Sequence, residues 1–404
     1  MIGFQEAQDI LKANILKPRS VRLPTSKAMY SCLAADVKGE SEIPTMDNSA
    51  LDGFAVQYDD VANIGEEPIK LKIVGSVRAG QISSRRLASG EAMQIMTGAP
   101  VPKGADVVVP VEESREEQSS VFIYRVPRAR GGNIRRAGED IQKGAVVLRA
   151  GDRIGPAEMS IAMLAGAQTV SVYDKPCVGL LTSGDELVEP GHKLKKGKVR
   201  NVNTHLMAGF LEQLHIPHMN FGIVRDDPRK IAASIRKAFG KCQVVVTSGG
   251  VSAGAYDFVK SVVEKRLRMK VLFYKVRQKP GKPILFARKA NQFLFALPGN
   301  PVSTFSTFLL YVRPFVLGMS GIRLVDLPKE FAEATEPIGG NPRFTNFLRG
   351  RLSWDPNSKA LIKTTGPQDS HLLTSLYGSN ALIVLPEGRL SVQPGELLEV
   401  WRWR

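Results

Sequence analysis

VVVTSGGVSAGAYD, residues 244–257, joins a run of valines to a glycine-rich polar loop, a pattern that indicates an α/β fold. Val244, Val245 and Val246 form a β-branched run, which is typical of a strand buried on both faces of a parallel sheet. The stretch then becomes polar and rich in glycine, so backbone N–H groups can converge on an anion where the strand gives way to a helix. Because ligands bind at the carboxyl ends of strands in open α/β sheets, we expect chemistry at this loop. A tight turn with a solvated N-cap aspartate is the structural alternative.

The composition indicates a globular protein of two to four domains, because 404 residues exceed the usual size of one core. Its 55 Lys and Arg residues against 39 Asp and Glu give a net charge of +16, which favours anionic partners. Cys32, Cys177 and Cys242 are far apart and form no CxxC pair, so neither a disulfide framework nor a structural zinc site is indicated. A reducing cytoplasm is the expected location.

Neither a signal peptide nor a membrane span is predicted. Apolar residues at helical spacing between residues 4 and 15 indicate an amphipathic first helix. The most apolar later stretch, Val302 to Leu317, is short and is interrupted by Arg313 and Pro314.

The sequence pattern changes along the chain in a way that predicts four parts. Short alternating segments between residues 69 and 148, separated by glycine and proline, indicate a small β domain. From Pro176 strands alternate with helices, as in an α/β domain, and beyond Pro328 short strands return. The predicted parts are an N-terminal segment (1–45 and 147–175), an inserted β domain (46–146), an α/β domain (176–326) and a C-terminal β domain (327–404).

Three helix starts are also predicted. A helix of residues 156–164 has Pro156 in its first turn. Asn203 or Thr204 can cap a helix that runs to residue 214, and Asp227 caps a helix of residues 228–239 that begins with a proline.

Carboxylates follow three predicted strands of the α/β domain. Asp185 and Glu186, then Asp226, then Asp257 each come just after a strand. In a parallel sheet these ends lie at one edge, where carboxylates can share a divalent cation. Each residue alone is more simply an N-cap or a surface turn, and only their joint placement favours a site.

Lysines surround a later Pro-Gly turn. Lys275, Lys279 and Lys282 lie in YKVRQKPGKP, where mobile positive charges suit an oxyanion or a phosphate, although an exposed hairpin explains them too. In LPGNPVS, residues 297–303, Asn300 can reach a ligand or stabilise the turn.

The inserted β domain presents polar groups on two loops and an arginine cluster. Asp52 lies in IPTMDNSALDGFAV, where an Asx-turn is the structural alternative, and Thr97 opens the rigid loop TGAPVP. The arginines favour phosphate or cofactor contact over base stacking, since few aromatic residues accompany them. They are Arg125, Arg128, Arg130, Arg135 and Arg136.

Eight motifs in this order resemble the MoeA family of molybdopterin molybdenumtransferases, which includes the E domain of gephyrin. They are NSALDGFAV, MTGAPVP, GGNIRRAGED, TSGDEL, SGGVSAGAYDF, KPGKP, LPGNPVS and NALIVLPEG. The resemblance implies an elongated multidomain α/β plus β fold, with a central molybdopterin-binding α/β domain, an inserted β domain and a C-terminal β-barrel. It also implies insertion of molybdate into adenylylated molybdopterin with loss of AMP, assisted by Mg²⁺.

The resemblance implies roles for individual residues and for partners. Implied catalytic residues are Asp52, Thr97, Glu186, Asp257, Lys275 and Lys279. Implied substrate-binding residues are Asp140, Ser183, Gly184, Ser248, Gly249, Gly250, Ser252, Pro298, Asn300, Pro301 and Ser370. Implied metal ligands are Asp185, Glu186, Asp226 and Asp257. A homodimer is implied, in which Asp52 and Thr97 can complete the site of the other subunit, together with transient contact with the adenylyltransferase of the pathway and no nucleic-acid or membrane partner.

Two departures from the family pattern and three rival functions accompany this interpretation. Ala255 occupies a position that is often acidic, and Leu51 and Phe54 change the commoner SAMDGYA to SALDGFA. The rivals are an adenylyltransferase with the same type of α/β domain, a dimeric pterin-binding scaffold without turnover, and a nucleic-acid binder suggested only by the net charge. The choice between molybdate and tungstate stays open.

Overall fold

The computed structural model describes residues 1–249, 259–323 and 325–404. The chain divides into two compact units. The larger unit comprises Met1–Val21, Tyr30–Ala34 and Val172–Arg404, and the smaller comprises Arg22–Met29 and Ala35–Ser171. The four domain boundaries expected from the sequence stay predictions.

A six-stranded mixed sheet forms the centre of the larger unit. Its strands, in spatial order, are His218–Val224, Val178–Ser183, Val244–Gly249, Gln292–Leu297, Leu285–Lys289 and Lys270–Tyr274. The first four are parallel, as the sequence predicted for the valine strand. Leu285–Lys289 runs antiparallel to both of its neighbours. Only two residues separate it from Gln292–Leu297, and so short a connection joins antiparallel strands.

Helices cover both faces of this sheet. The first face packs against Phe4–Ala13, Asn203–Gln213 and the helical run Pro301–Met319, and the second against Pro228–Phe239 and Val262–Arg266. Val244 and Val246 belong to the first core and Val245 to the second, which is the two-residue alternation of a strand. All three are fully buried, as the β-branched run predicted.

The run Pro301–Met319 is long and apolar enough to pass the length and composition test for a membrane span. Its 18-residue window is 89% buried inside the protein, which is the behaviour of a core helix.

Two helix starts, those of Pro228–Phe239 and Asn203–Gln213, can be compared with the N-caps predicted from the sequence. Asp227 caps Pro228–Phe239 as predicted, and its Oδ1 accepts hydrogen bonds from the backbone N–H groups of the first turn. The expectation that Asn203 or Thr204 caps the preceding helix is wrong, since the helix begins at Asn203 itself. Asn201 supplies the side-chain oxygen instead, which accepts from the Thr204 N–H.

A closed five-stranded barrel forms the C-terminal part, as the resemblance implied. Its strands are Lys329–Ala334, Thr345–Trp354, Ala360–Thr364, Ala381–Leu385 and Leu397–Arg402. Thr345–Trp354 closes the barrel by pairing on both sides. The short strand Gln278–Lys279 also pairs with it, Lys279 opposite Asn346, so the lysine loop is anchored to the barrel.

The smaller unit contains the predicted β domain as a six-stranded sheet. Its strands, in spatial order, are Val107–Pro110, Gly53–Val56, Glu91–Ile95, Ile69–Val77, Ser120–Ile123 and Ser114–Glu117. The helix Pro156–Leu164 begins with its proline in the first turn, as predicted. Other short strands of the chain are Ser20–Pro24, Val37–Lys38, Asn48–Ser49, Ile134–Arg135, Val146–Leu148, Thr169–Tyr173, Leu187–Val188, Val199–Arg200, Ile338–Gly339 and Ser391–Val392.

Two of the three cysteines meet in space. Cys177 and Cys242 precede the neighbouring strands Val178–Ser183 and Val244–Gly249, and their Sγ atoms are 2.7 Å apart. Strand pairing thus brings together two cysteines that are 65 positions apart in the sequence, and all three cysteines are free thiols.

Candidate functional site

A cavity of about 720 Å³ lies at the carboxyl edge of the central sheet. Three loops enclose it together with the strand ends: the lysine loop, the turn after Leu297 and a barrel loop. Predicted site residues in its lining are Glu186, Gly249, Lys279, Pro298, Asn300, Pro301 and Ser370. Lys282 and Asp369 add one charge of each sign to the wall.

The end of the valine strand explains why glycine is needed there. Gly249 has φ +90° and pairs with Ser183 on the adjacent strand. A Cβ at Gly249 would lie 2.1 Å from the Ser183 carbonyl oxygen, a distance that no side chain tolerates. The glycine thus lets two parallel strands remain paired up to the edge of the cavity.

A buried polar network supports the wall formed by the turn after Leu297. The Ser248 hydroxyl accepts from Asn203 Nδ2 at 2.8 Å and donates to the Pro298 carbonyl at 3.0 Å. Thr304 donates to the same carbonyl, and Asn203 donates to the Gly299 carbonyl. Ser248 is completely buried, so in this structure its hydroxyl positions the turn.

Carboxylates gather at the ends of two neighbouring strands, Val178–Ser183 next to the valine strand and His218–Val224 beyond it. Asp226 is exposed, yet some loss of hydration raises the pKa of its carboxyl group and repulsion from Glu186 raises this pKa further. Hydrogen bonds from the Asp185 backbone and the Ser183 side chain oppose the shift. The sequence prediction that these acidic groups meet at one edge is therefore confirmed for the three strand-end carboxylates described.

The described carboxylates do not complete a metal site by themselves. Among residues 1–249, 259–323 and 325–404, no group of three or more His, Cys, Asp or Glu side chains is arranged to hold a metal ion. Asp257 lies outside the described residues, as do Gly250, Ser252 and Ala255.

The predicted lysines take different positions at the edge of the sheet. Lys279 and Lys282 are exposed and line the cavity. Lys275 follows the strand Lys270–Tyr274 with φ +60°, and its Nζ lies 4.7 Å from the ring centre of Tyr274. Because that strand points the same way as the parallel strands, Lys275 also lies at their carboxyl edge. Within the described part of the chain, the cavity lining does not include Ser183, Gly184, Asp185, Asp226, Ser248 or Lys275.

Asn300 and Ser370 link the α/β domain to the barrel. Asn300 Nδ2 donates to Ser370 Oγ at 2.9 Å, and the Val302 N–H donates to the Ser370 carbonyl. Both side chains face the cavity, so this pair closes one wall of it.

Arg349 is a supporting residue that the sequence analysis missed. It is completely buried in a barrel strand and donates to the carbonyls of Pro367, Gln368 and Asp369, at 3.1 to 3.4 Å. Burial lowers the pKa of its guanidinium to about 10. The sequence carries no local signal for this burial, because Arg349 stands between Asn346 and Arg351 in a strand of mixed polarity. Its bonds to the three carbonyls explain how the loop before Ser370 is held.

The predicted residues of the smaller unit form a separate group. Thr97 donates to Asp52 through both its backbone and its hydroxyl, so the structure brings these two residues together. The two hydrogen bonds lower the pKa of the Asp52 carboxyl, the backbone bond more strongly. Asp140 is exposed, and its backbone N–H donates to the Ile43 carbonyl.

The arginine cluster is largely engaged within its own domain. Arg136 pairs with Asp47 at 2.6 Å, and Arg130 pairs with both Asp59 and Asp106. In this structure acidic side chains of the same unit neutralise these two arginines, and the expectation of phosphate or cofactor contact for the cluster stays a prediction.

Comparisons with known proteins identify relatives along almost the whole chain. Residues 2–166 match the MoeA N-terminal region (domains I and II), residues 179–318 a probable molybdopterin-binding domain, and residues 332–403 the MoeA C-terminal region (domain IV). A molybdopterin molybdenumtransferase of Haemophilus influenzae is 34% identical over 380 residues, covering 94% of this chain and 92% of that protein. One of Bacillus subtilis is 32% identical over 388 residues, covering 92% and 87%.

A solved structure has the same fold. The molybdopterin biosynthesis MoeA protein of Pyrococcus horikoshii superimposes with a TM-score of 0.82 at 28% identity, covering 100% of this chain and 99% of that one.

Proposed function

The chain belongs to the MoeA family of molybdopterin molybdenumtransferases, and from this premise we propose that it inserts molybdate into adenylylated molybdopterin with release of AMP. The observation that carries the proposal is the cavity in which Glu186, Lys279, Lys282 and Ser370 converge beside Gly249. Its volume of about 720 Å³ suits a ligand of nucleotide or pterin size.

The lysines supply the charge that such a reaction requires. Molybdate and the phosphate groups of the adenylate are both anions and repel each other in water. Lys279 and Lys282 on one wall lower that repulsion, and the partly buried Lys275 adds positive charge at the same edge. Ser370, held by Asn300, offers its hydroxyl to an oxyanion on the facing wall.

The remaining predicted substrate contacts come from the strand end at Gly249 and from the turn after Leu297. The backbone N–H of Gly249 at the cavity edge suits a phosphate oxygen, while Gly250 and Ser252, predicted as substrate contacts with it, lie outside the described residues. Pro298 and Pro301 lie on either side of Asn300 and restrict the backbone of its turn. We therefore propose that they contact the substrate by van der Waals packing. Ser183, Gly184 and Ser248 lie behind the cavity wall, and we propose that they act indirectly, by holding the strand ends in position.

The carboxylates fit a magnesium ion by their chemistry. Loss of hydration contributes most to the raised pKa of the Asp226 carboxyl group, and repulsion from Glu186 and Asp185 raises this pKa further; a cation relieves that repulsion. An all-oxygen donor set is the one Mg²⁺ prefers. Asp185, Glu186 and Asp226, with Asp257, would hold the ion, whose charge would polarise the bond between phosphate groups.

Asp52 and Thr97 require a second assignment. We propose that the protein forms a homodimer in which the loops carrying Asp52, Thr97 and Asp140 complete the site of the other subunit. The support is chemical, since Asp52 is an exposed, ionised carboxylate that Thr97 holds in one orientation. The same proposal includes transient contact with the adenylyltransferase that makes the substrate, and a cytoplasmic location.

The rival functions are less consistent with the chain. An adenylyltransferase needs only the α/β domain, whereas this chain also matches the family regions on either side of it. A nucleic-acid binder would use its basic residues on phosphates, but Arg130 and Arg136 are engaged in ion pairs. A pterin-binding scaffold without turnover predicts binding and no AMP release.

The deciding experiment measures AMP release from adenylylated molybdopterin by the purified chain with Mg²⁺, with and without molybdate. Release that depends on molybdate supports the transferase. Binding of the pterin with an intact adenylate would favour the scaffold, and a parallel assay with tungstate determines which oxyanion is preferred.

A further inference from the structure

The amino-terminal ends of two central strands hold a cysteine pair on the far side of the sheet from the cavity. Cys177 directly precedes the strand Val178–Ser183, and Cys242 lies two residues before its paired strand Val244–Gly249, whose Val244 N–H donates to the Cys177 carbonyl. The two Sγ atoms are 2.7 Å apart. A disulfide has a sulfur–sulfur distance of about 2.05 Å, so an approach of about 0.65 Å joins them.

We propose that Cys177 and Cys242 are a redox-active pair that forms a reversible intramolecular disulfide by exchange with a small-molecule disulfide. The two sulfur atoms already face each other across neighbouring strands, and bonding them requires no rearrangement of the sheet. Neither residue has a part in the proposed transfer reaction, so the inference stands apart from it.

The two thiols have different exposure, which sets the order of events. Cys177 is partly exposed, whereas Cys242 is 4% exposed. Burial, followed by the contact with Cys177, raises the pKa of the Cys242 thiol to about 12. Cys177 is therefore the thiol that meets the reagent first, because nucleophilic attack requires an accessible thiolate.

The chemistry is a pair of exchange steps. The Cys177 thiolate attacks one sulfur of the reagent, forms a mixed disulfide and releases one small thiolate. Cys242 then loses its proton to solvent and attacks the Cys177 sulfur, which breaks the mixed bond and releases the second small thiolate. In total the reagent gains two electrons and two protons, and the two protein thiols lose them.

The surroundings favour an anionic reagent. Pro176 and Gln243, the direct neighbours of the two cysteines, line a small cavity of about 160 Å³. Lys17, Arg19 and Lys175 contribute to the same wall, with Asp174 as the opposing charge. Oxidised glutathione, which carries carboxylates, is therefore the probe of choice.

The test treats the reduced full-length protein with oxidised glutathione under native conditions and maps the peptides without reduction. We expect one product that has lost two hydrogen atoms in mass, with a Cys177–Cys242 cross-link and a higher Tm than the reduced protein. Dithiothreitol reverses both changes. A wild-type protein that stays reduced, or that carries glutathione on Cys177 with no cross-link, overturns the proposal.

Variants separate the roles of the two thiols. Cys242→Ser should accumulate a glutathione adduct on Cys177, and Cys177→Ser should acquire neither adduct nor cross-link. Cys32→Ser is the matched control, because Cys32 is buried elsewhere against the Gly321 carbonyl, and it should cross-link like the wild type. A cross-link that involves Cys32 would also contradict the assignment.

Discussion

Thr97 donates its backbone N–H and its hydroxyl to one carboxylate oxygen of Asp52, at 2.7 and 2.8 Å. These bonds fix the orientation of the carboxylate and lower its pKa, so Asp52 stays ionised over the whole neutral range. The two residues are 45 positions apart and lie on separate loops of the β domain. The pair thus has the geometry of an oriented general base or an oriented cation ligand.

Replacing the threonine tests this pair. In Thr97→Val the backbone donor remains and the hydroxyl donor is lost, so the carboxylate becomes free to rotate. We expect a fall of about 10-fold or more in kcat, with little change in Tm, since an oriented acid or base contributes about 10²–10⁴-fold. Thr97→Ser keeps the hydroxyl and should retain most of the activity. Full activity in Thr97→Val, or a loss in Thr97→Ser as large as that in Thr97→Val, would show that the hydroxyl bond to Asp52 is not what the activity depends on.

Lys279 is an exposed lysine that lines the cavity, and its backbone pairs with Asn346 of a barrel strand. Lys279→Gln removes the charge and keeps the length of the side chain. We expect the KM for molybdate to rise about tenfold, corresponding to about 1.4 kcal/mol, while the fold is unchanged. The matched control is Lys237→Gln, an exposed lysine on the helix Pro228–Phe239. If both variants bind molybdate equally well, Lys279 is no part of the oxyanion site.

The sequence predicted the structure best where a residue type strongly favours one kind of local structure. The β-branched run 244–246 predicted a buried parallel strand, and Asp227 before Pro228 predicted a helix start, and both are observed. Carboxylates after parallel strands predicted their meeting at one edge, because parallel strands end together.

Long-range pairing was beyond the same reasoning. The antiparallel hairpin at residues 285–297 depends on a two-residue turn of Ala290 and Asn291, in which Ala290 has φ +50° although alanine does not usually mark such a turn. The burial of Arg349 depends on a barrel closed by strands that are distant in sequence, and the contact of Cys177 with Cys242 depends on sheet order. No local pattern reports such pairings.

Arg349 should stabilise the protein mainly through its hydrogen bonds to the loop of residues 367–369, and less through its packing in the barrel core. Arg349→Met preserves much of the buried volume but leaves the carbonyls of Pro367 and Gln368 without their donor. An unsatisfied buried polar group costs about 1–3 kcal/mol, so we expect the free energy of unfolding in urea to fall by about that amount or more. Activity should fall as well, because Ser370 follows the same loop. Arg349→Lys, with fewer donors and no planar fork, should give an intermediate loss; full stability in the Met variant would show that the loop is held by other contacts.

Asp226 should make the protein less stable as the pH rises above the normal range for an aspartate. Its folded-state pKa is raised, first by loss of hydration and then by Glu186, so the folded protein holds this proton more tightly than the unfolded chain does. Below the unfolded pKa both states are protonated and no cost arises. As the pH rises through the interval between the unfolded and folded values, stability is lost, and at pH 7 the full cost is present.

Asp226→Asn should therefore raise the free energy of unfolding at pH 7 in the presence of a chelator, and the gain should disappear below about pH 4. Asp227 is the matched control at the next position. Hydrogen bonds from the backbones of Lys230 and Arg229 lower the pKa of Asp227, so Asp227→Asn should lower stability at pH 7 and become neutral in acid. Urea titrations of both variants from pH 3 to 8 measure the two slopes. Curves of the same sign would show that Asp226 does not experience the repulsion that a bound cation relieves, and would remove the main support for a metal site beside Glu186.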